Sequence, residues 1–156
     1  MKICQQIEPL RTSVSEWHNH DETIAFVPTM GNLHDGHLSL VEIAQQKASR
    51  VVVSIYVNPL QFSPDEDFGS YPRTLDDDLD KLGALGVDLV FTPDDSMVYP
   101  HGKAQSTFVE VPGLSQVLEG EFRPGFFRGV ATVVLKLFNM VQPDIAVFGE
   151  KDFQQL

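Results

Sequence analysis

Two histidines, His34 and His37, lie three residues apart in the stretch PTMGNLHDGH, residues 28–37. Imidazole rings at this spacing could donate hydrogen bonds to phosphate, ligate a metal ion, or close a turn as ordinary polar groups. Zinc is the weaker alternative, because no cysteine or third histidine lies nearby. Gly31 permits a tight turn, and Gly36 lets the chain enter a helix without a side chain in the way. The stretch therefore favours phosphate binding at a helix start, and turn-closing histidines remain the alternative.

Two other short stretches carry polar side chains directly after apolar runs: NPLQF, residues 58–62, and GEKDFQQ, residues 149–155. Asn58 and Gln61 could hydrogen-bond a hydroxylated or carboxylate substrate, or could simply finish a strand. Lys151 could hold phosphate as a point charge, or could be a solvated surface lysine. Ligands of open parallel sheets bind beyond the carboxyl ends of the strands. We therefore expect one rim of the sheet to gather His34, His37, Asn58, Gln61, Lys151, Asp152 and Gln155.

Other residues allow both a functional and an ordinary interpretation. Arg123 and Arg128 flank a Pro-Gly turn and could reach an anion, although surface arginines are the alternative. Asp76, Asp77 and Asp78 could hold Mg²⁺ through water, or could form a solvated acidic helix start. Two residues near the histidines, Pro28 and Met30, could line a ligand or serve only in packing.

Composition limits the classes of function. A chain of 156 residues with 42% hydrophobic residues is long enough for one domain with a real core. Its net charge of −11 argues against nucleic-acid binding, which needs a basic face. The single cysteine, Cys4, excludes internal disulfides and fits a reducing cytosol. Because no apolar segment reaches membrane-spanning length and no signal peptide is evident, we expect a soluble cytoplasmic protein.

The apolar pattern alternates between two kinds of segment. Short continuous runs rich in valine, isoleucine and phenylalanine predict buried parallel strands at 24–27, 51–57, 87–91 and 145–148. Helical spacing predicts helices at 37–48, 75–85 and 127–141, the last of them apolar on nearly every side. Strands that alternate with helices predict a doubly wound α/β sheet. In the proline-rich region 93–126 we predict one short extra strand at 107–111.

These motifs also resemble a known family. The stretch TMGNLHDGH resembles the H-x-G-H region of the nucleotidyltransferase and class I aminoacyl-tRNA synthetase superfamily. Five blocks occur together and in order: VPTMGNLHDGHLSLV, SIYVNPLQF, YPRTLDDDL, FRPGFFRGVATVVLKLFN and FGEKDFQQL. That set resembles the pantoate–β-alanine ligases (pantothenate synthetases) from residue 24 to residue 156. Five ordered blocks are far more specific than one motif.

The resemblance implies a Rossmann-like fold and a two-step reaction. Pantoate attacks the α-phosphorus of Mg-ATP to give pantoyl adenylate and pyrophosphate. β-Alanine then attacks the acyl carbon, which releases pantothenate and AMP. ATP and Mg²⁺ are thus the implied cofactors, pantoate and β-alanine the implied substrates, and a homodimer the implied assembly.

The resemblance also implies a role for each matching residue. His34 and His37 would bind the ATP phosphates and stabilise the adenylation transition state, while Lys151 would bridge ATP phosphate and pantoate oxygens. Gln61 and Gln155 would hold the pantoate hydroxyl and carboxylate. The remaining assignments fall into four groups: Asn58 and Tyr71 beside pantoate or the approach of β-alanine; Pro28, Met30, Gly149 and Asp152 around adenosine and ribose; Asp77 and Asp78 near Mg²⁺; and Arg123 on a flexible wall.

Two departures from the family pattern affect these expectations. Phe126 occupies a position where the family usually carries histidine, which puts a polar role there in doubt. Family members are also about twice as long, as two domains would be. We therefore expect residues 1–156 to form the nucleotide-binding and pantoate-binding domain, without the lid domain, and to have little or no ligase activity alone. The alternatives are another H-x-G-H nucleotidyltransferase, acting on a phosphorylated acceptor, and a non-catalytic nucleotide-binding fold.

Overall fold

The computed structural model describes residues 1–62 and 68–156. Within them, five parallel strands form one sheet in the order β1-β4-β3-β2-β5. The strands are β1 Lys2–Cys4, β2 Ile24–Thr29, β3 Arg50–Ile55, β4 Leu89–Phe91 and β5 Ile145–Ala146. The helices are α1 Ile7–His18, α2 Asp35–Lys47, α3 Leu75–Ala84, α4 Asp95–Val98, α5 Glu119–Phe122 and α6 Phe126–Val141. Short 3-10 turns include Pro59–Gln61 and Glu150–Asp152.

Helices cover both faces of the sheet, because alternate strand residues point to opposite sides. On β2, Ile24 and Phe26 belong to one apolar core, whereas Ala25 and Val27 belong to the other. The first core is closed by α1 and α6, and the second by α2 and α3. All four of these β2 residues are fully buried, as the continuous apolar run predicted. The predicted doubly wound α/β fold is therefore confirmed.

The order of the strands creates a switch point beside β2. The chain runs outward from β2 to β3 and β4, and then returns to place β5 on the other side of β2. Connections that leave in opposite directions open a crevice beyond the carboxyl ends of the two strands, where ligands of such sheets bind. Residues 30–37 follow β2, and residues 147–155 follow β5. The fold therefore places both segments at this crevice.

Most predicted elements are present, with shifted ends. The four predicted strands and three predicted helices all occur, whereas β1 and α1 were not predicted. The prediction of a strand at 107–111 is wrong. In the part of the chain that the structure describes, that segment pairs with no strand. Its Val109 N–H donates instead to Thr132 Oγ1 of α6, at 3.0 Å. Phe108 and Val111 are exposed, so their strand-like pattern does not reflect burial on a sheet.

The expectation, from its apolar composition, that α6 is a buried helix also needs correction. One side of α6 packs on the first core through residues such as Val133 and Leu137, but Leu135 is 46% exposed. The helix is therefore partly exposed rather than fully buried, with Arg128, Leu135 and Asn139 facing solvent. Among residues 1–62 and 68–156, every helix is too short or too polar to cross a bilayer.

Candidate active site at the carboxyl ends of the strands

The segment 30–37, here named the histidine loop, leads from β2 into α2. His34 is the N-cap of α2, and its Nδ1 accepts a hydrogen bond from the Gly36 N–H at 3.1 Å. Nδ1 of His37, in the first turn, accepts from the His34 N–H at 3.4 Å. The two ring centroids are 4.2 Å apart. Because each Nδ1 accepts, each neutral ring carries its proton on Nε2. The pair therefore presents two Nε2–H donors at the N-terminal, positive end of the α2 dipole.

The electrostatic surroundings keep His37 neutral. Its pKa is lowered, first by burial and then by unfavourable electrostatic interaction of a protonated ring with the neighbouring His34 and Lys151. Asp152 and Asp78 oppose this shift. A neutral ring retains the Nδ1 lone pair that accepts from the His34 N–H. Lys151 and Asp152, in the segment after β5, therefore lie within electrostatic range of His37.

A fully buried carboxylate, Asp78 of α3, anchors the histidine loop. Its Oδ1 accepts from the Leu33 N–H at 2.7 Å, and its Oδ2 accepts from the Asn32 N–H at 2.9 Å. The Thr74 hydroxyl donates to the same Oδ2 at 3.2 Å, and Lys81 Nζ donates to the Leu33 carbonyl at 2.7 Å. Charged acceptors make stronger hydrogen bonds than neutral ones. Asp78 therefore fixes the backbone that precedes His34.

This geometry changes the interpretation of the two aspartates predicted to lie near Mg²⁺. Both oxygens of Asp78 already accept hydrogen bonds inside the protein, so Asp78 is poorly placed to reach a metal ion. Asp77 is exposed on the same helix. Among the described residues, no group of three or more histidine, cysteine or acidic side chains is arranged to hold a metal. The magnesium role of Asp77 and Asp78 stays a prediction, and the observed role of Asp78 is structural.

Residues 58–61, here named the glutamine turn, follow β3. Asn58 is fully buried, and its side chain makes four hydrogen bonds with described residues. Its Nδ2 donates to Gln61 Oε1 at 3.0 Å and to the Gly129 carbonyl at 3.2 Å. Its Oδ1 accepts from the Tyr99 hydroxyl at 2.7 Å and from the Leu60 N–H at 3.3 Å. Asn58 therefore lies behind Gln61 and supports it, and its predicted place beside a substrate stays untested.

Tyr99 belongs to this network although no sequence signal marks it. It lies in the irregular, proline-rich region between β4 and α6, where no spacing distinguishes it. Only the fold brings its hydroxyl to Asn58.

Arg123 contacts the glutamine turn, and Tyr71 contacts Phe62, the residue directly after it. Arg123 Nη2 donates to the Gln61 carbonyl at 3.1 Å, and its guanidinium lies 3.9 Å from the centroid of the Phe126 ring. Phe126, at the position where the family usually has histidine, therefore serves as a stacking surface. The Tyr71 ring is 5.7 Å from the Phe62 ring, and burial is the main cause that raises its pKa.

The segment after β5 is the least enclosed part of the site. Lys151 and Asp152 are exposed, and the Gly149 carbonyl accepts from the Asp152 N–H at 3.1 Å. Gln155 is half-buried and borders an apolar cleft of about 180 Å³ between α6 and residues 111–115. The predicted adenosine-side residues Pro28, Met30 and Gly149 are half-buried.

Similarity to known proteins extends over the whole chain. Residues 2–156 match the family model described as pantoate-beta-alanine ligase. All 156 residues align with the pantothenate synthetase of Photobacterium profundum at 62% identity and with that of a Shewanella species, strain ANA-3, at 61%. The chain spans 53% and 56% of the lengths of these two relatives. It therefore covers little more than half of the curated relatives it matches.

Solved structures give the same result. A crystal structure of pantothenate synthetase from Thermus thermophilus superposes with a TM-score of 0.92 at 49% identity, covering 99% of this chain and 54% of that one. The ligase from Francisella tularensis, in complex with beta-gamma ATP and beta-alanine, superposes with a TM-score of 0.93 at 40% identity. That match covers 99% of this chain and 59% of the other. The shared fold extends over the whole described site.

Proposed function

Because the chain belongs to the pantoate–β-alanine ligase family, we propose that the intact gene product joins pantoate to β-alanine at the expense of ATP. The reaction gives pantothenate, AMP and pyrophosphate through a pantoyl-adenylate intermediate. The observation that carries this proposal is the histidine pair, whose two Nε2–H donors stand at the start of α2 beside the switch point of the sheet. An anionic phosphate chain fits such a site.

The histidine loop has the chemistry that adenylation requires. Nε2–H donors of His34 and His37 bind phosphate oxygens and stabilise the charge that develops at the α-phosphorus. Lys151 adds a positive charge beside His37 and links the phosphate side to the pantoate side. Pro28, Met30, Gly149 and Asp152 line the adenosine and ribose. Mg²⁺ would neutralise part of the phosphate charge, and Asp77, which is exposed, would be the residue that helps to hold it.

The glutamine turn lies on the side that binds pantoate. Gln61 and Gln155 hold the pantoate hydroxyl and carboxylate, with Tyr71 and Arg123 along the same side. Support comes from the fixed position of Gln61, whose side chain is held by Asn58 and whose carbonyl is held by Arg123. A rigid amide loses little entropy when it binds a small polar molecule.

The protein is further proposed to be a cytoplasmic homodimer. The single cysteine fits a reducing compartment. Apolar side chains exposed between β4 and α6 could be covered by a second copy; they include Phe108, Val111, Leu114, Val117, Leu118 and Phe122. The relatives are longer than this chain, and a lid that excludes water is a common requirement for such chemistry. We expect residues 1–156 alone to have little or no ligase activity.

ATP–pyrophosphate exchange tests this function. We expect exchange by the intact gene product to depend on pantoate, and His37→Ala to lower its rate by about 10²–10³-fold, because one transition-state donor is lost. His101→Ala, which removes an exposed loop histidine, is the control. Exchange that requires a phosphorylated acceptor instead would establish the rival nucleotidyltransferase. No exchange, together with nucleotide binding, would establish a non-catalytic fold.

A further inference from the structure

We propose that Tyr99 and Asn58 are positioning residues, which orient the Gln61 amide so that its Nε2–H group faces the substrate. The proposal rests on the function above, since it takes pantoate as that substrate. It predicts that Gln61 recognises a hydrogen-bond acceptor, namely a pantoate oxygen. It also makes two residues that act through the Gln61 side chain responsible for that preference.

The orientation of Asn58 is set by groups that cannot exchange roles. The Leu60 backbone N–H can only donate, and it points at one end of the Asn58 amide. The Gly129 backbone carbonyl can only accept, and it meets the other end. An amide has distinct donor and acceptor ends, so only one of its two flipped orientations satisfies both neighbours. Because Asn58 is fully buried, the wrong orientation would leave polar groups unpaired without water to replace the partners.

The orientation of Gln61 follows from that of Asn58. The second proton of Asn58 Nδ2 points at the Gln61 side chain, with Nδ2 3.0 Å from Oε1. A flipped Gln61 would oppose one NH₂ group to another, which is repulsive. Oε1 is therefore committed to Asn58, and the NH₂ group of Gln61 is directed away from it. Gln61 acts as a donor toward the site although a glutamine can serve as either.

Tyr99 strengthens this arrangement from the far side. Its hydroxyl donates to Asn58 Oδ1 at 2.7 Å, the shortest of the four hydrogen bonds of Asn58. Burial raises the pKa of Tyr99, and the charge of Asp95 raises it further, so the hydroxyl keeps its proton. Tyr99 is itself buried at the end of α4. A chain of donors thus runs from Tyr99 through Asn58 to Gln61, and each bond polarises the next.

The direction of this chain has a consequence for selectivity. An N–H donor attracts the carboxylate or hydroxyl oxygens of pantoate and repels an ammonium group. β-Alanine carries an ammonium group until it reacts. The Gln61 amide therefore disfavours the ammonium end of β-alanine at the position where it binds a pantoate oxygen.

Substitution of Tyr99 in the intact gene product tests the proposal. We expect Tyr99→Phe to raise KM for pantoate by roughly 3- to 10-fold, the effect of one neutral hydrogen bond, and to leave KM for ATP unchanged. Tyr56→Phe is the matched control. Tyr56 is also a buried tyrosine, but its hydroxyl donates to Asp95 at 2.9 Å, outside the chain from Tyr99 to Gln61. Equal KM changes in the two variants would overturn the proposal.

A double substitution separates positioning from simple loss of stability. If Tyr99 acts through Gln61, Tyr99→Phe has no further effect on KM for pantoate in a Gln61→Ala background. An undiminished effect in that background would show that Tyr99 acts by another route.

Side-chain amide NMR on the intact gene product gives a readout that does not depend on pantoate. Tyr99→Phe should shift the amide signals of both Asn58 and Gln61, and Tyr56→Phe should leave them in place. If the wild type shows no pantoate-dependent exchange but the signals shift as expected, the proposed function fails while the positioning chain stands. Unshifted signals overturn the chain itself.

Discussion

The histidine loop and the glutamine turn are each held by a fully buried polar side chain of their own. These two anchoring residues, Asp78 and Asn58, differ in chemistry. Asp78 reaches the histidine loop from α3, and its carboxylate only accepts hydrogen bonds. Asn58 lies inside the glutamine turn, and its amide both donates and accepts. A carboxylate can gather backbone N–H groups and hold a loop in place. An amide can also impose a direction on a neighbouring side chain.

This difference matches the needs of the two segments. The histidines receive their orientation locally, through the capping hydrogen bonds at the start of α2, so the loop needs only a fixed backbone. Gln61 has no such local cap, and its amide could face either way without an oriented neighbour. Asp78 therefore gives the histidine loop a fixed backbone, and Asn58 gives the Gln61 side chain a fixed orientation.

Removal of the charged anchor should have the largest effect on stability. Asp78→Asn replaces one acceptor oxygen by an NH₂ group that faces a buried N–H, and we expect a loss of about 2–3 kcal/mol in the free energy of unfolding. Urea denaturation of the intact gene product measures it. The control is Asp77→Asn, on the exposed side of α3, for which we expect a loss below about 1 kcal/mol. If Asp78 served magnesium instead, its variant would keep its stability and need more Mg²⁺.

Crowding the backbone at Gly129, which packs beside the uncharged anchor Asn58, should have a smaller effect on stability. Gly129 of α6 approaches the glutamine turn so closely that an added Cβ would lie 2.3 Å from the Leu60 carbonyl oxygen. We expect Gly129→Ala to cost roughly 1–3 kcal/mol, because backbone must move. Gly83→Ala is the control, since its Cβ would meet nothing nearer than 3.7 Å, and it should stabilise α3 by up to about 1 kcal/mol. Similar unfolding midpoints for the two variants would refute close packing at Gly129.

Acidification should have the smallest effect, confined to the histidine loop. Because the pKa of His37 is lowered by burial and by nearby positive charge, the folded chain binds fewer protons than the unfolded chain just below pH 6.5. The stability that this ring contributes is thus complete above pH 6.5 and is lost as the pH falls through the folded pKa. An NMR titration of the His37 ring should give a midpoint below that of the urea-unfolded chain. A midpoint above it would contradict the lowered pKa.

The sequence predicted the framework well where hydrophobic runs were long. β2, β3, α3 and α6 carry enough buried apolar residues to reveal their period. β1 has only three residues, two of them exposed, and α1 has Pro9 in its first turn, so neither shows a clear pattern. The apolar residues of 107–111 have the alternating pattern of a strand, but the segment is not paired with the sheet that the structure describes, and Phe108 and Val111 are exposed. Such a signal depends on tertiary surroundings that no short window contains.

The candidate site was predictable in part. Residues after strand ends were found because parallel strands share one carboxyl edge. The interior position of Asp78 could also have been found, since Leu82 lies four residues further on the same helical face and both are fully buried. Tyr99 could not, because its contact with Asn58 joins residues 41 positions apart through an irregular segment.

The capping role of the histidines has a consequence for how this protein can change. Catalytic residues often lower the stability of the folded protein, so that replacing them makes the protein more stable. Here the ring of His34 also caps the first turn of α2, so its loss would weaken the helix together with the proposed phosphate site. Selection for stability and selection for turnover would therefore both retain histidine at position 34. Asparagine, which can cap but has no imidazole, would separate the two pressures.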